Sequence, residues 1–199
     1  MSGLRFRKRR RDWRLGRWTA KLALSRFMPG SASSLSDWEI ISQANGAPSV
    51  LLTGAESGVH LSLSHSHGRS LVSICRDSLR IGCDLERVER RHPSFGETFF
   101  TAAEMDVLER STGHHRDCLV TLIWSAKESV LKSLQTGLKA DTRRIEISGF
   151  GEPSGNHWQP FKATDELEKS IYHGWWRNDE SMIHTVVASE RFNVPVELF

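Results

Sequence analysis

The chain has 199 residues, of which 38% are hydrophobic and 26% charged, a globular balance that excludes collagen-like and fully disordered classes. No run approaches the ~20 apolar residues of a membrane helix, and the arginine-rich start lacks the apolar core of a secretory signal, so a cytoplasmic location is expected. The net charge of +3 hides an asymmetry, because Arg5, Arg7, Lys8, Arg9, Arg10, Arg11, Arg14 and Arg17 face only Asp12. Such a block seeks anions, or is simply a solvated basic arm.

In chain order, Trp13 to Phe27 carries Leu15, Trp18, Leu22 and Leu24 among good helix formers, so the basic block leads into an amphipathic helix. Met28-Pro29-Gly30 and the serines up to Ser36 end it. Trp38 to Ile41 reads as a strand, Asn45 to Pro48 as a turn, and Val50 to Thr53 as a short extended piece. Val59 to Ser64 and Ser70 to Cys75 are neighbouring strands joined at Ser66-His67-Gly68, with Leu79 to Glu86 as the third of the set. The charged stretch from Arg87 to Pro93 is the best internal boundary. Helices are predicted at Thr101 to Arg110 and Arg116 to Leu134, and strands at Arg144 to Ser148, His157 to Phe161, Ser170 to Trp176 and His184 to Ser189. Gly149 to Asn156 is a loop. Grouped strands and grouped helices favour an α+β fold. Cys75, Cys83 and Cys118 are odd in number and widely spaced, so reduced thiols are expected rather than a disulfide framework.

Two segments carry the chemistry. In Ile81-Gly82-Cys83-Asp84-Leu85-Glu86, strand alternation projects Asp84 and Glu86 from one face. In Trp124-Ser125-Ala126-Lys127-Glu128-Ser129-Val130-Leu131-Lys132, helical spacing stacks Trp124, Glu128 and Lys132. Neighbouring carboxylates repel unless a cation lies between them, and with Glu128 added the set suits a hard divalent ion. The plainer alternatives are a wet strand face and an i,i+4 surface ion pair. A third feature, Leu61-Ser62-Leu63-Ser64-His65-Ser66, ends a strand in small polar groups and an imidazole that can donate to phosphate oxygens. A satisfied loop histidine is its plainer reading.

With these three in this order, the sequence resembles the 4′-phosphopantetheinyl transferases, of the large monomeric type serving nonribosomal peptide and polyketide synthases. The likeness also includes Gly16 to Leu24, Phe99-Phe100-Thr101-Ala102-Ala103-Glu104, and Gly137-Leu138. The turn at Gly46-Ala47-Pro48 departs from it, with Ala47 where a basic residue is common. The resemblance implies transfer of the 4′-phosphopantetheine of coenzyme A to a serine of an apo acyl or peptidyl carrier protein, releasing 3′,5′-ADP. It implies two similar α/β halves, each a small antiparallel sheet with packed helices, divided as 1–88 and 89–199 around a cleft. By position, Asp84, Glu86 and Glu128 would hold Mg2+ (or Mn2+), and Ser64 and His65 would contact a phosphate of coenzyme A. Arg10, Arg11 and Arg17 would receive its 3′-phosphate. Lys132 would face the bridging oxygen, with Glu128 the first choice of base for the carrier serine. Glu104 is the second choice, although Thr101 and Glu104 also spell a capping box. An acidic carrier would dock near Thr101 to Gly113 of a monomer, without membrane. The alternatives are a nucleic-acid-binding module built on the arginine block with Trp13 and Trp18, or another Mg-dependent phosphoryl-transfer enzyme.

Overall fold

The computed structural model describes residues 7–76, 79–135, 140–151, 156–179 and 181–199. Helix α1 (Arg7–Phe27) takes in the basic block instead of following it. Gly16, Ala20, Ala23 and Leu24 are its buried residues, a narrow small-residue stripe that lets it lie close to the strands beneath. Three strands follow, β1 (Trp38–Ser42), β2 (Pro48–Leu52) and β3 (Ala55–Glu56), in an antiparallel sheet of that order. Hairpin β4 (His60–Ser66) and β5 (Arg69–Cys75) turns through His67 and Gly68, both at positive φ, as a two-residue turn matching strand twist requires. Ala20, Leu24, Trp38, Ile40, Val50, Val59 and Leu61 form one core between α1, this sheet and the hairpin.

A second core lies between three helices and a five-stranded sheet. The helices are α2 (Ser94–Phe99), α3 (Ala102–Glu109) and α4 (Gly113–Ser133). The sheet runs β6 (Ile81–Arg87), β10 (Met182–Ala188), β9 (Ser170–Asp179), β8 (Gln159–Asp165) and β7 (Ile145–Ser148), all neighbours antiparallel. Small antiparallel sheets with packed helices make this an α+β fold. Helix α2 was not expected from the sequence. Residues 152–155 of the expected loop and the Gly137-Leu138 pair lie outside the described residues.

One expectation is corrected. β6 is not the third strand of the β4–β5 set, because its ladder is with β10, Asp84 facing Thr185 and Glu86 facing Ile183. The hairpin meets β6 through side chains instead: the Cys83 amide donates to Ser62 Oγ at 3.0 Å, and Ser64 Oγ donates to Asp84 Oδ1 at 2.8 Å. Serines at alternate positions of β4 thus stand in for a backbone ladder.

Cys75, Cys83 and Cys118 form no disulfide. No helix among the described residues is long and apolar enough to cross a membrane.

On the sheet face away from α4, His184 is buried with neither ring nitrogen hydrogen-bonded. Burial, then Arg177 and Arg69, push its pKa down to about 4 against the pull of Asp179. The folded pKa lies below the unfolded one, so the neutral ring's stability is present above about pH 6.5 and is lost as pH falls towards 4. Urea unfolding of wild type and His184→Phe should therefore diverge on acidification, the wild type losing on the order of 3 kcal/mol more by pH 4. Parallel pH profiles would contradict this account of His184.

Candidate active site

The cleft is made where α4 lies against β6. A Cβ placed on Gly82 would sit 1.9 Å from the Ser129 carbonyl oxygen and 2.8 Å from the Ser133 amide. Only glycine permits that approach. Since side chains two and four positions along a strand share its face, Asp84 and Glu86 are delivered under the same helix.

Asp84 is not an exposed cleft group. It is 4% exposed and its carboxylate is caged by three side chains from β4 and α4. Oδ1 accepts from Ser64 Oγ at 2.8 Å and from Lys132 Nζ at 2.7 Å, and Oδ2 accepts from Ser125 Oγ at 2.8 Å. Ser125 and Ser129 are in turn within 2.9 and 2.6 Å of the Thr185 hydroxyl, on the strand beside Asp84. Ser64 is thus spent on Asp84 rather than aimed at a ligand phosphate. His65, its neighbour on β4, points the other way and is exposed.

Trp124, Glu128 and Lys132 occupy the cleft-facing ridge of α4, each half-buried. Glu128 Oε1 is buried with no hydrogen-bond partner. Burial first, then the charge of Asp84 and Glu86, push the Glu128 pKa up to about 7, against the opposing effect of Lys132. Glu86 is also raised, by burial and by Asp84, with Arg91, a hydrogen bond from Trp124, and Lys132 working the other way. Arg91 donates to Glu86 Oε2 at 3.3 Å. Burial works against the Lys132 ammonium, yet Asp84, with Cys83 and Glu128, outweighs it and holds Lys132 above the ordinary lysine value.

Glu104 stands apart from this cluster. It is 1% exposed, and both oxygens are used: Oε2 by the Thr101 amide and Lys127 Nζ, each at 2.8 Å, and Oε1 by the Ile147 amide at 2.8 Å. Lys127 is 0% exposed and also donates to the Thr142 carbonyl at 3.1 Å. The capping box is real, and Glu104 ties α3, α4 and β7 together. A carboxylate so enclosed has no open path to a substrate hydroxyl, which corrects the second choice of base.

On α1 the arginines divide. Arg17 donates from Nε to the Ile40 carbonyl at 3.3 Å and from Nη2 to Ser42 Oγ at 3.2 Å, and lies 3.8 Å over the Trp13 ring. It docks the helix on β1. Arg11 extends to the β4–β5 turn, with Nη2 3.5 Å from where a Cβ on Gly68 would stand. Arg10 is exposed.

Sequence reasoning left Trp124, Ser125, Lys127, Arg91 and Thr185 without roles. Trp124 packs on Phe95 and Phe99 at centroid distances of 5.1 and 5.0 Å, fixing the wall beside Glu86. The run of small hydroxyls at Ser125, Ser129 and Ser133, spaced four apart on a buried helix face, is a signal that was available for the cage.

The donor set has the chemistry of a hard-cation site: three carboxylates, two of them pushed towards protonation, and one orphaned oxygen. As they stand, no three acidic, histidine or cysteine side chains among the described residues are grouped closely enough to hold one ion together. Asp84 is turned into Lys132 and its hydroxyl cage.

Asp84 and Glu128 should therefore respond differently to neutralisation. Asp84→Ala strands Lys132 and two hydroxyls and should cost about 1–3 kcal/mol in urea unfolding. Glu128→Gln removes a strained charge and should leave the midpoint at pH 8 unchanged or higher. Equal destabilisation by the two would contradict the cage.

Residues 80–180 match the family model of the 4′-phosphopantetheinyl transferase superfamily, a stretch that runs from β6 into the end of β9 and holds Asp84, Glu86, Glu104, Glu128 and Lys132. No curated protein matches the chain. The matched stretch is just over half of the 199 residues and contains the packed helix and strand that build the cleft, so the chain belongs to the 4′-phosphopantetheinyl transferase superfamily.

Proposed function

We propose that the chain transfers the 4′-phosphopantetheine of coenzyme A to a serine hydroxyl of an apo acyl or peptidyl carrier protein and releases 3′,5′-ADP. The observation that carries this reading is Glu128, half-buried on the α4 ridge with its buried Oε1 unpartnered, over the strand face that bears two further acids and one turn from Lys132.

In the proposed reaction the serine oxygen bonds to the phosphorus of the phosphopantetheine arm, and the bond from that phosphorus to the 3′,5′-ADP oxygen breaks. Glu128 takes the serine proton. Lys132 neutralises the charge that develops on the leaving phosphate. Asp84, Glu86 and Glu128 would hold Mg2+ or Mn2+, which when bound supplies charge neutralisation and orientation of the diphosphate. Trp124 and Arg91 hold Glu86 in place, and the hydroxyl cage holds Asp84.

For the 3′-phosphate, Arg11 is favoured, because it reaches the hairpin turn that also presents His65, with Arg10 exposed one residue earlier. Arg17 acts by fixing α1 on β1. An acidic carrier suits the net charge of +3 on this chain, since opposite charge speeds encounter.

Mass spectrometry of a panel of apo carrier proteins, incubated with the chain, coenzyme A and Mg2+, should show a phosphopantetheine adduct on at least one serine. Glu128→Gln should lower that rate about 100-fold or more. Consumption of coenzyme A without any adduct would point to hydrolysis and overturn carrier modification. Arg11→Ala should weaken coenzyme A more than dephospho-coenzyme A in competition assays, while equal losses would take Arg11 away from the 3′-phosphate.

A further inference from the structure

We propose that Lys132 is the resident counter-cation of the acidic cleft, occupying Asp84 in the metal-free protein and giving it up when a divalent ion binds. The inference rests on the reading of Asp84, Glu86 and Glu128 as the metal-binding acids, and goes beyond it by making occupancy of Asp84 an exchange between two cations.

Lys132 Nζ lies 2.7 Å from Asp84 Oδ1 and 3.0 Å from the Cys83 carbonyl oxygen. Asp84 Oδ1 also accepts from Ser64, so both of its lone-pair directions are taken. One turn back on α4, the buried Oε1 of Glu128 has no partner. The ammonium therefore satisfies one acid of the set and leaves another orphaned. A divalent ion that takes Oδ1 together with Glu128 must displace the ammonium, because two cations cannot share that oxygen at contact distance.

The surroundings allow the exchange. Asp84 remains held by Ser64 on Oδ1 and by Ser125 on Oδ2 after Lys132 leaves, so its carboxylate does not depend on the ammonium for partners. The Lys132 side chain is 28% exposed and so reaches the surface over part of its length, unlike Lys127, which is sealed at 0%. The released ammonium then stands free at the cleft, where the leaving phosphate of the proposed reaction would need it. Metal loading and arming of the lysine become one event. Competition for one site is reciprocal: whatever favours the ammonium on Asp84 disfavours the ion, and by the same factor.

The test is Mn2+ binding to the full chain without coenzyme A, read from the electron paramagnetic resonance signal of free aqueous Mn2+. Lys132→Met keeps the length of the side chain and removes its charge. It should bind Mn2+ about tenfold or more tightly than wild type, and Lys132→Met combined with Glu128→Gln should lose that gain. Equal or weaker binding by Lys132→Met, or no binding by either protein, would overturn the proposal.

Should Lys132→Met not fold, the unaltered chain answers the same question. Acetylation of Lys132 by an N-hydroxysuccinimide ester, counted by peptide mass spectrometry against exposed Lys162, should rise several-fold when Mn2+ is added. Unchanged or reduced labelling would overturn it. Carrier modification by the unaltered chain, together with unchanged Mn2+ affinity in Lys132→Met, would sink this inference alone. Tighter Mn2+ binding with no carrier modified would sink the proposed function and leave the exchange standing.

Discussion

The contact of α4 with β6 at Gly82 is the constraint on which the cleft depends. At a separation where a single methyl would meet the Ser129 carbonyl oxygen at 1.9 Å, the helix backbone lies directly on the strand. The two positions that follow on that strand face, Asp84 and Glu86, then come up beneath the helix ridge of Trp124, Glu128 and Lys132. A strand–helix pair at ordinary spacing would leave a side-chain layer between these groups. Here the helix backbone meets the strand at Gly82, and charged groups more than forty positions apart in sequence come into contact, as Lys132 does with Asp84.

Such closeness is electrostatically costly, and the structure meets the cost unevenly. Asp84 is fully answered by Ser64, Ser125 and Lys132. Glu86 is partly answered by Arg91 and Trp124, while Glu128 is left with a buried oxygen and a pKa near 7. The opposite choice is made at the adjacent position of α4, where Lys127 and Glu104 are both sealed and fully bonded. Breaking a pair of that kind is costly to stability, on the order of 3–5 kcal/mol, so it anchors the helix. One helix thus carries, at consecutive positions, a sealed ion pair and a half-buried carboxylate with an unpartnered oxygen.

Much of this was legible in local pattern. Strand alternation marked β4, β5 and β6, helical spacing put Glu128 and Lys132 on one ridge, and Thr101 with Glu104 announced the α3 cap. The pairing of β6 with β10 was not legible, because it joins residues about a hundred positions apart and no local signal selects one partner strand over another. Nor was the fate of Ser64: alternation says that Ser64 and His65 face opposite ways, but not which side meets Asp84. The arginine block read as one anion-seeking patch, whereas folding into α1 sends Arg17 to β1, Arg11 to the hairpin turn, and leaves Arg10 exposed.

The central claim is that packing of α4 on β6 brings three acids of distant origin to one divalent ion and a diphosphate. A crystal structure of the chain with coenzyme A and Mn2+, with the metal located by its anomalous scattering, tests this most directly. The account predicts Mn2+ in direct coordination with oxygens of Asp84, Glu86 and Glu128 and with the diphosphate of coenzyme A. Metal density elsewhere, or a diphosphate bound away from the α4 ridge, would contradict it.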